Sequence, residues 1–159
     1  MNKIKKKEIV LILENIRSAE NVGSIFRTAD AVGVSKIYLV GYTPDPVDRF
    51  GKPQKGVVKA SLGAEKSIPW EHHTTITSLI KKLKKDSFEI VSLEQSEKSI
   101  PYTKYTAKKC ALVLGNEVTG VSQRTLNSSD VIIEIPMNGE KESLNVSVAT
   151  GVALFQLIQ

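Results

Sequence analysis

Three short segments carry the side chains through which this sequence could do chemistry. The first is Asn15-Ile-Arg17 followed by Asn21-Val-Gly-Ser-Ile-Phe-Arg27. Asn21 can cap a helix, and Arg27 lies further into it, where a planar guanidinium can hold a phosphate with two parallel hydrogen bonds. A capping asparagine and a surface arginine would read the same way. The second is Leu114-Gly-Asn-Glu-Val-Thr-Gly120, in which Gly115 permits close backbone approach to a ligand and Glu117 places a carboxylate just past an apolar run. The third runs from Ile135-Pro-Met137 through a glycine-bearing loop to Ser143-Leu-Asn145. Ser143 can serve as an N-cap, and free N–H groups at a helix start can meet a carboxylate. His72 and His73 are adjacent, which projects them apart in either regular structure. No third ligand with suitable spacing accompanies them, so no metal site is expected.

The elements that must position these segments alternate between strand-like and helix-like text, an α/β pattern with no internal repeat. Ile9 to Leu13 is a continuous apolar run, as a buried parallel strand requires. Asn21 then opens a helix to about Ala31, closed by Gly33. Strands are expected at Lys36 to Val40, Phe88 to Leu93, Cys110 to Leu114 and Val131 to Ile135, with a short helix at Ser122 to Asn127. Between Thr74 and Lys85, apolar Ile76, Leu79, Ile80 and Leu83 recur at helical spacing and leave Lys81, Lys82, Lys84 and Lys85 as a solvated face. From Ser143 onward a long helix carries Leu144, Val148, Val152, Phe155 and Ile158 near helical period. The proline- and glycine-bearing stretch Tyr42 to Gly56 reads as a mobile surface loop, suited to a lid, a substrate loop or a plain connection. In open parallel sheets ligands bind beyond the carboxyl ends of the strands, where all three chemical segments fall.

Composition narrows the function classes. The 159 residues suit one domain, 41% apolar and 25% charged, with no apolar run of membrane-spanning length. The basic stretch Met1 to Lys7 precedes an apolar run too short for a signal peptide, so a cytoplasmic protein is expected. Cys110 is the lone cysteine, read as a small buried side chain, which excludes a disulfide within the chain. A formal charge of +5, with lysines gathered at Lys3 to Lys7, Lys81 to Lys85 and Lys104 to Lys109, favours a polyanionic partner such as RNA. A dinucleotide-dependent dehydrogenase is discounted, because no G-x-G-x-x-G turn follows the first strand.

The order and spacing of the three segments resemble the SpoU, or TrmH-like, branch of the SPOUT methyltransferases. Its three motifs match Asn21 to Arg27, Leu114 to Gly120 and Ile135 to Asn145, and Asp30-Ala-Val-Gly-Val34 and Ser61-Leu-Gly-Ala64 also look like family text. The resemblance spans nearly the whole chain. It implies a parallel-sheet α/β SPOUT fold with a C-terminal deep trefoil knot; the length suits a single catalytic domain, and, in departure from many relatives, no separate RNA-binding domain is expected. It further implies a homodimer that transfers a methyl group from S-adenosyl-L-methionine to a ribose 2′-hydroxyl of tRNA or rRNA. Compactness favours tRNA, and a catalytically idle or partner-dependent RNA-binding module of the same fold is the competing reading.

By the same resemblance, Leu93, Leu114, Gly115, Ile135, Met137 and Leu144 would surround the adenosyl group. Arg27 would take the central catalytic role, with Asn21 holding Arg27 or the substrate. Glu117 would position the site, and Ser143 and Asn145 would order donor and acceptor. A guanidinium stays protonated at any ordinary pH, so a phosphate clamp is the safer description of Arg27, with service as a base left open. Arg17, together with Arg49, Lys52 and Lys55 of the Tyr42 to Gly56 loop, are the expected RNA contacts.

Overall fold

A computed structural model describes residues 6–159. Lys3 and Lys5 of the basic N-terminal stretch lie outside the described residues.

The chain runs β1 (Glu8–Glu14), α1 (Ala19–Val32), β2 (Lys36–Val40), α2 (Lys55–Ser61), α3 (Ala64–Ser67), β3 (Trp70–His73), α4 (Ile76–Lys85) and β4 (Glu89–Leu93). There follow β5 (Ile100–Pro101), a short 3-10 turn, β6 (Lys109–Leu114), α5 (Gln123–Ser128), β7 (Val131–Glu134) and α6 (Val146–Leu157). The seven strands form one sheet in the order β3-β2-β1-β6-β4-β7-β5, and every pairing within it is parallel. β6 is therefore inserted between β1 and β4, with Leu11 in register with Leu112.

The apolar run of β1 is continuous because helices cover both faces of the sheet. Ile9, Leu11 and Leu13 join a core with Val22 and Phe26 of α1 and Leu154 of α6. Val10 and Ile12 face the opposite way into a second core with Leu79, Ile80 and Leu83 of α4. Leu11 and Ile12 are 0% exposed, and burying each such side chain contributes about 1.5–3 kcal/mol. The lysines Lys81, Lys82, Lys84 and Lys85 are exposed on the outer face of α4. Cys110 is buried, and burial pushes its thiol up to about 12.

Several boundaries differ from the sequence reading. The first helix starts at Ala19, and its N-cap is Ser18 rather than Asn21: the Ser18 side chain accepts from the Asn21 backbone N–H. The last helix is capped by Asn145 rather than Ser143, the Asn145 side chain accepting from the N–H groups of Ser147 and Val148. Lys55 and Gly56 belong to α2, not to the preceding loop. That helix packs tightly on α1, and small residues make the approach feasible: a Cβ added at Gly23 would lie 2.3 Å from the Val57 carbonyl oxygen. A Cβ at Gly56 would lie 2.7 Å from that of Ala19. The apolar series on α6 also faces differently than core packing requires. Thr150, Ala153, Leu154 and Leu157 turn inward, whereas Val148 and Phe155 are 52% and 50% exposed and Leu144, Val152 and Ile158 stand out beside them.

Lys7 donates from Nζ to the Leu157 carbonyl oxygen at 3.0 Å and also reaches that of Gln159. One member of the basic N-terminal cluster is thus engaged with the carbonyl end of α6, where a cation complements the helix dipole. Among the described residues, no helix is long and apolar enough to cross a membrane.

Candidate active site

Parallel strands put the turns after β1, β2, β4, β6 and β7 on one edge of the sheet, and the three chemical segments meet there. After β1 the chain bends sharply at Asn15, whose φ of 55° lies in the left-handed region. Its carbonyl oxygen accepts from Asn116 Nδ2 at 2.9 Å and its side-chain oxygen from the Tyr42 N–H at 3.2 Å. Asparagine tolerates this conformation better than most residues, and local hydrogen bonds hold it there.

The turn after β6 closes on itself. Backbone hydrogen bonds join Asn116 and Gly120 in both directions, at 3.1 and 2.9 Å, while Asn116 Oδ1 accepts from the N–H groups of Val118 and Thr119. The chain approaches itself so closely that a Cβ at Gly115 would lie 2.2 Å from the Val121 nitrogen. Two carboxylates at strand ends pin the turn from outside. Glu94, just past β4, accepts from the Val121 N–H at 2.9 Å. Glu14, at the end of β1 and 5% exposed, accepts from the hydroxyls of Ser122 and Thr125 at 2.7 and 2.9 Å.

From this turn Glu117 reaches across to the start of α1. Its carboxylate accepts from the backbone N–H groups of Arg17 at 2.8 Å and Ser18 at 2.9 Å, and from Asn21 Nδ2 at 3.1 Å. Partial burial pushes the Glu117 carboxyl up, but the hydrogen bonds from Arg17, Ser18 and Asn21 outweigh it and hold the group below its ordinary value. Asn21 Oδ1 in turn accepts from Asn145 Nδ2 at 3.2 Å, and Asn145 caps α6. A single hydrogen-bonded series, Glu117 to Asn21 to Asn145, therefore links all three segments. Asn21 engages Glu117 and Asn145, not Arg27.

Beside this series lies a cleft of about 710 Å³. Leu93, Leu114, Gly115, Ile135, Met137 and Leu144 all line it, as do Glu117, Ser143 and Asn145. Asn21 and Arg27 stand outside its lining. Arg27 is exposed on α1 and forms no ion pair among the described residues. Its neighbour Thr28 lies at the crossing with α6, where its methyl carbon is 3.6 Å from a Cβ built on Gly151.

Arg17, Arg49, Lys52 and Lys55 are all exposed, the last in the first turn of α2. His72 bonds Asp45 and Gly41 through its two ring nitrogens, and His73 bonds Glu71. The described residues contain no group of three or more His, Cys, Asp and Glu placed to hold a metal ion.

Sequence reasoning missed Ser18, Glu14, Glu94 and Asn116. Glu14 and Glu94 each directly follow an apolar strand run, and a carboxylate in that place is the signal that marks them. Asn116 had no signal beyond its place between Gly115 and Glu117.

An open parallel α/β sheet with a ligand-sized cleft at the carboxyl ends of its inner strands is the architecture of nucleotide- and cofactor-binding enzymes. More particularly, residues 8–155 match the SpoU rRNA Methylase family, and the chain belongs to that family. A 23S rRNA (guanosine-2′-O-)-methyltransferase RlmB of Xanthomonas axonopodis pv. citri is 33% identical over 153 residues, which cover 96% of this chain and 59% of that protein. The AdoMet-bound rRNA methyltransferase from Sinorhizobium meliloti superposes with a TM-score of 0.83 at 30% identity, covering 95% of this chain and 56% of the other. The A. aeolicus TrmH/SpoU tRNA modifying enzyme gives a TM-score of 0.80 at 31% identity over 96% of this chain and 75% of its own. The chain thus spans a little under three fifths of the Xanthomonas relative.

Proposed function

We propose that this protein is an S-adenosylmethionine-dependent RNA methyltransferase acting on a ribose 2′-hydroxyl of transfer or ribosomal RNA in the cytoplasm, with residues 8–155 as one catalytic domain. The observation that carries the proposal is the Glu117–Asn21–Asn145 series, which orders the three motif segments on the rim of the cleft.

The residues present suit the methyl donor. A cleft of about 710 Å³ lies within the usual range for a cofactor of this size. Its walls pair apolar Leu93, Leu114, Ile135, Met137 and Leu144 with the turn at Gly115, and its carboxylates Glu94, Glu117 and Glu134 complement a cationic ligand. When bound, the donor supplies an electrophilic methyl carbon on its sulfonium. The apolar side chains exclude water from that carbon, and Gly115, small enough for Gly120 and Val121 to close on it, shapes the turn that lines the cleft. Glu117 fixes the start of α1, and Asn145 sets the opening turn of α6 against it. Arg27, held as a guanidinium, clamps the phosphate beside the target ribose and so aligns the hydroxyl, the arrangement on which an in-line transfer depends.

Two further features belong to this reading. The insertion of β6 between β1 and β4 and of β7 between β4 and β5, with α6 returning onto α1, supports a C-terminal trefoil knot. The outward apolar residues Val148, Val152, Phe155 and Ile158 support a homodimer paired through α6, because a monomer rarely leaves several large apolar side chains of one helix in water. Arg27 is exposed on α1 and outside the lining of its own cleft, so a second subunit is one way for it to reach a shared site.

The test is transfer of labelled methyl from S-adenosylmethionine to unmodified transfer-RNA and ribosomal-RNA pools, followed by nucleoside analysis. Wild type should yield a 2′-O-methylated nucleoside from one pool. Arg27→Ala should lower transfer on the order of 10²–10³-fold while donor binding by calorimetry stays unchanged. Full activity in that variant would remove Arg27 from the mechanism. Donor binding with no transfer to either pool would favour the idle RNA-binding module instead.

A further inference from the structure

We infer that Phe50 is a stacking platform for an unpaired nucleobase of the RNA, a site that extends the substrate surface beyond the cleft and that rests on the RNA-directed reading above. Phe50 is 74% exposed, second only to Val118 among the large apolar side chains of the described residues. At this exposure the ring is available to a ligand, and its neighbours decide which kind.

The ring is displayed on a built turn. Asp48 Oδ1 accepts from the N–H groups of Phe50 at 2.8 Å and Lys52 at 2.9 Å, while the Asp48 carbonyl oxygen accepts from the Gly51 N–H at 3.0 Å. Gly51 has a φ of 78°, a conformation that glycine adopts without strain. The stem is closed by pairing between Val47 and Pro53, by the hydrogen bond from the Gln54 N–H to the Pro46 carbonyl oxygen, and by the Asp45–His72 pair. A backbone fixed this way leaves only the side-chain rotamer of Phe50 to be ordered on binding.

Its surroundings select a nucleic acid. The Arg49 guanidinium carbon lies 4.7 Å from the Phe50 ring centre, and Lys52 and Lys55 are exposed nearby in the chain. A π-face flanked by an arginine plane and further cations is the arrangement that holds single-stranded RNA: the ring stacks with the base and the cations meet the backbone. The loop also leaves the sheet at the edge where the cleft opens. Its first residues are tied to the cleft's own turn, since Asn116 Nδ2 donates to the Tyr42 hydroxyl at 2.9 Å. Phe50 is not part of the cleft lining, so the base it stacks would be one other than the target.

The probe is an oligouridylate carrying one 2-aminopurine, whose fluorescence falls when the base stacks. Phe50→Ala should weaken binding roughly tenfold and abolish the quenching, and Phe50→Trp should restore both. The slope of log affinity against log salt should be the same in Phe50→Ala as in wild type, because stacking releases no counterions. Removing the three cations should instead flatten that slope by about 2. Thermal melting and S-adenosylmethionine binding should not move in either Phe50 variant. Wild-type affinity and quenching in Phe50→Ala would overturn the inference, as would failure of tryptophan to restore them. Conversion of a sedimenting dimer into monomers by Phe50→Ala would also overturn it, by assigning the ring to a second copy of this chain. Absence of methyl transfer with the probe results intact would strike at the catalytic proposal alone.

Discussion

The turn after β6, residues 115–121, and the loop after β2, residues 41–54, leave the sheet at the same edge, yet their polar groups are directed differently. The first is satisfied inward and across the fold: Asn116 closes its own turn, Glu94 and Glu14 grip its far end, and Glu117 is committed to α1. The second uses Asp45 and Asp48 to fix its backbone and turns Arg49, Phe50 and Lys52 to solvent. Under the proposed function, groups that align a reaction would be tied before any ligand arrives, which spares reorganisation at the moment of transfer. Groups that meet a polymer would be fixed at the backbone and left free at the tips.

This contrast can be broken at either end. The largest effect is expected from Glu117→Ala, which orphans the N–H groups of Arg17 and Ser18 and releases Asn21. Misplacement of the start of α1 should lower kcat/KM on the order of 10²-fold, read in the methyl-transfer assay, with RNA affinity nearly unchanged. Reversing charge at Arg49, Lys52 and Lys55 together should do the opposite. RNA binding at low salt should fall by roughly tenfold or more while donor binding and melting temperature hold, and unchanged RNA binding would show that the loop does not read RNA. The smallest effect sharpens the electrostatic side of the comparison. The Glu117 carboxyl lies below its ordinary value of 4.5, so the stability it contributes is fully present above that pH and is lost as pH falls through the folded-state value. The melting-temperature gap between wild type and Glu117→Gln should therefore stay constant near neutrality and shrink only below about pH 4.5. A gap that persisted in strong acid would mean that the glutamate acts through packing and not through charge.

How far the fold was legible follows from what holds each element. β1, β2 and β6 read clearly because burial on both faces demands unbroken apolar runs, and α4 because it rests on one face. α2 was lost in the loop text: it is seven residues long, and Gly56 and Ala60 serve it by being small enough for α1 to approach. β3, Trp-Glu-His-His, is an edge strand held partly by Lys36 and Glu71 and carries no apolar pattern. The two helix starts were misplaced for a common reason. Polar residues stand in series at both, Ser18 before Asn21 and Ser143 before Asn145, and tertiary partners decide which one caps. Asn21 is drawn away by Glu117, a partner 96 positions along the chain that no local pattern reveals. The lining of the cleft came from the motif resemblance, not from periodicity, and carboxylates outside the motifs, Glu14 and Glu94, stayed unseen.

The insertion of β6 into the middle of the sheet also sets the order in which the molecule can be made. β1 pairs with β2 almost as soon as both exist, but its other neighbour arrives about a hundred residues later, as the pairing of Leu11 with Leu112 shows. During synthesis on the ribosome the growing chain therefore presents an apolar strand with one open edge, the kind of edge that recruits foreign strands. Such distant pairing is slow to form. Until residue 114 emerges that edge has no partner on its β6 side, and this is the interval in which shielding of the nascent strand would count most.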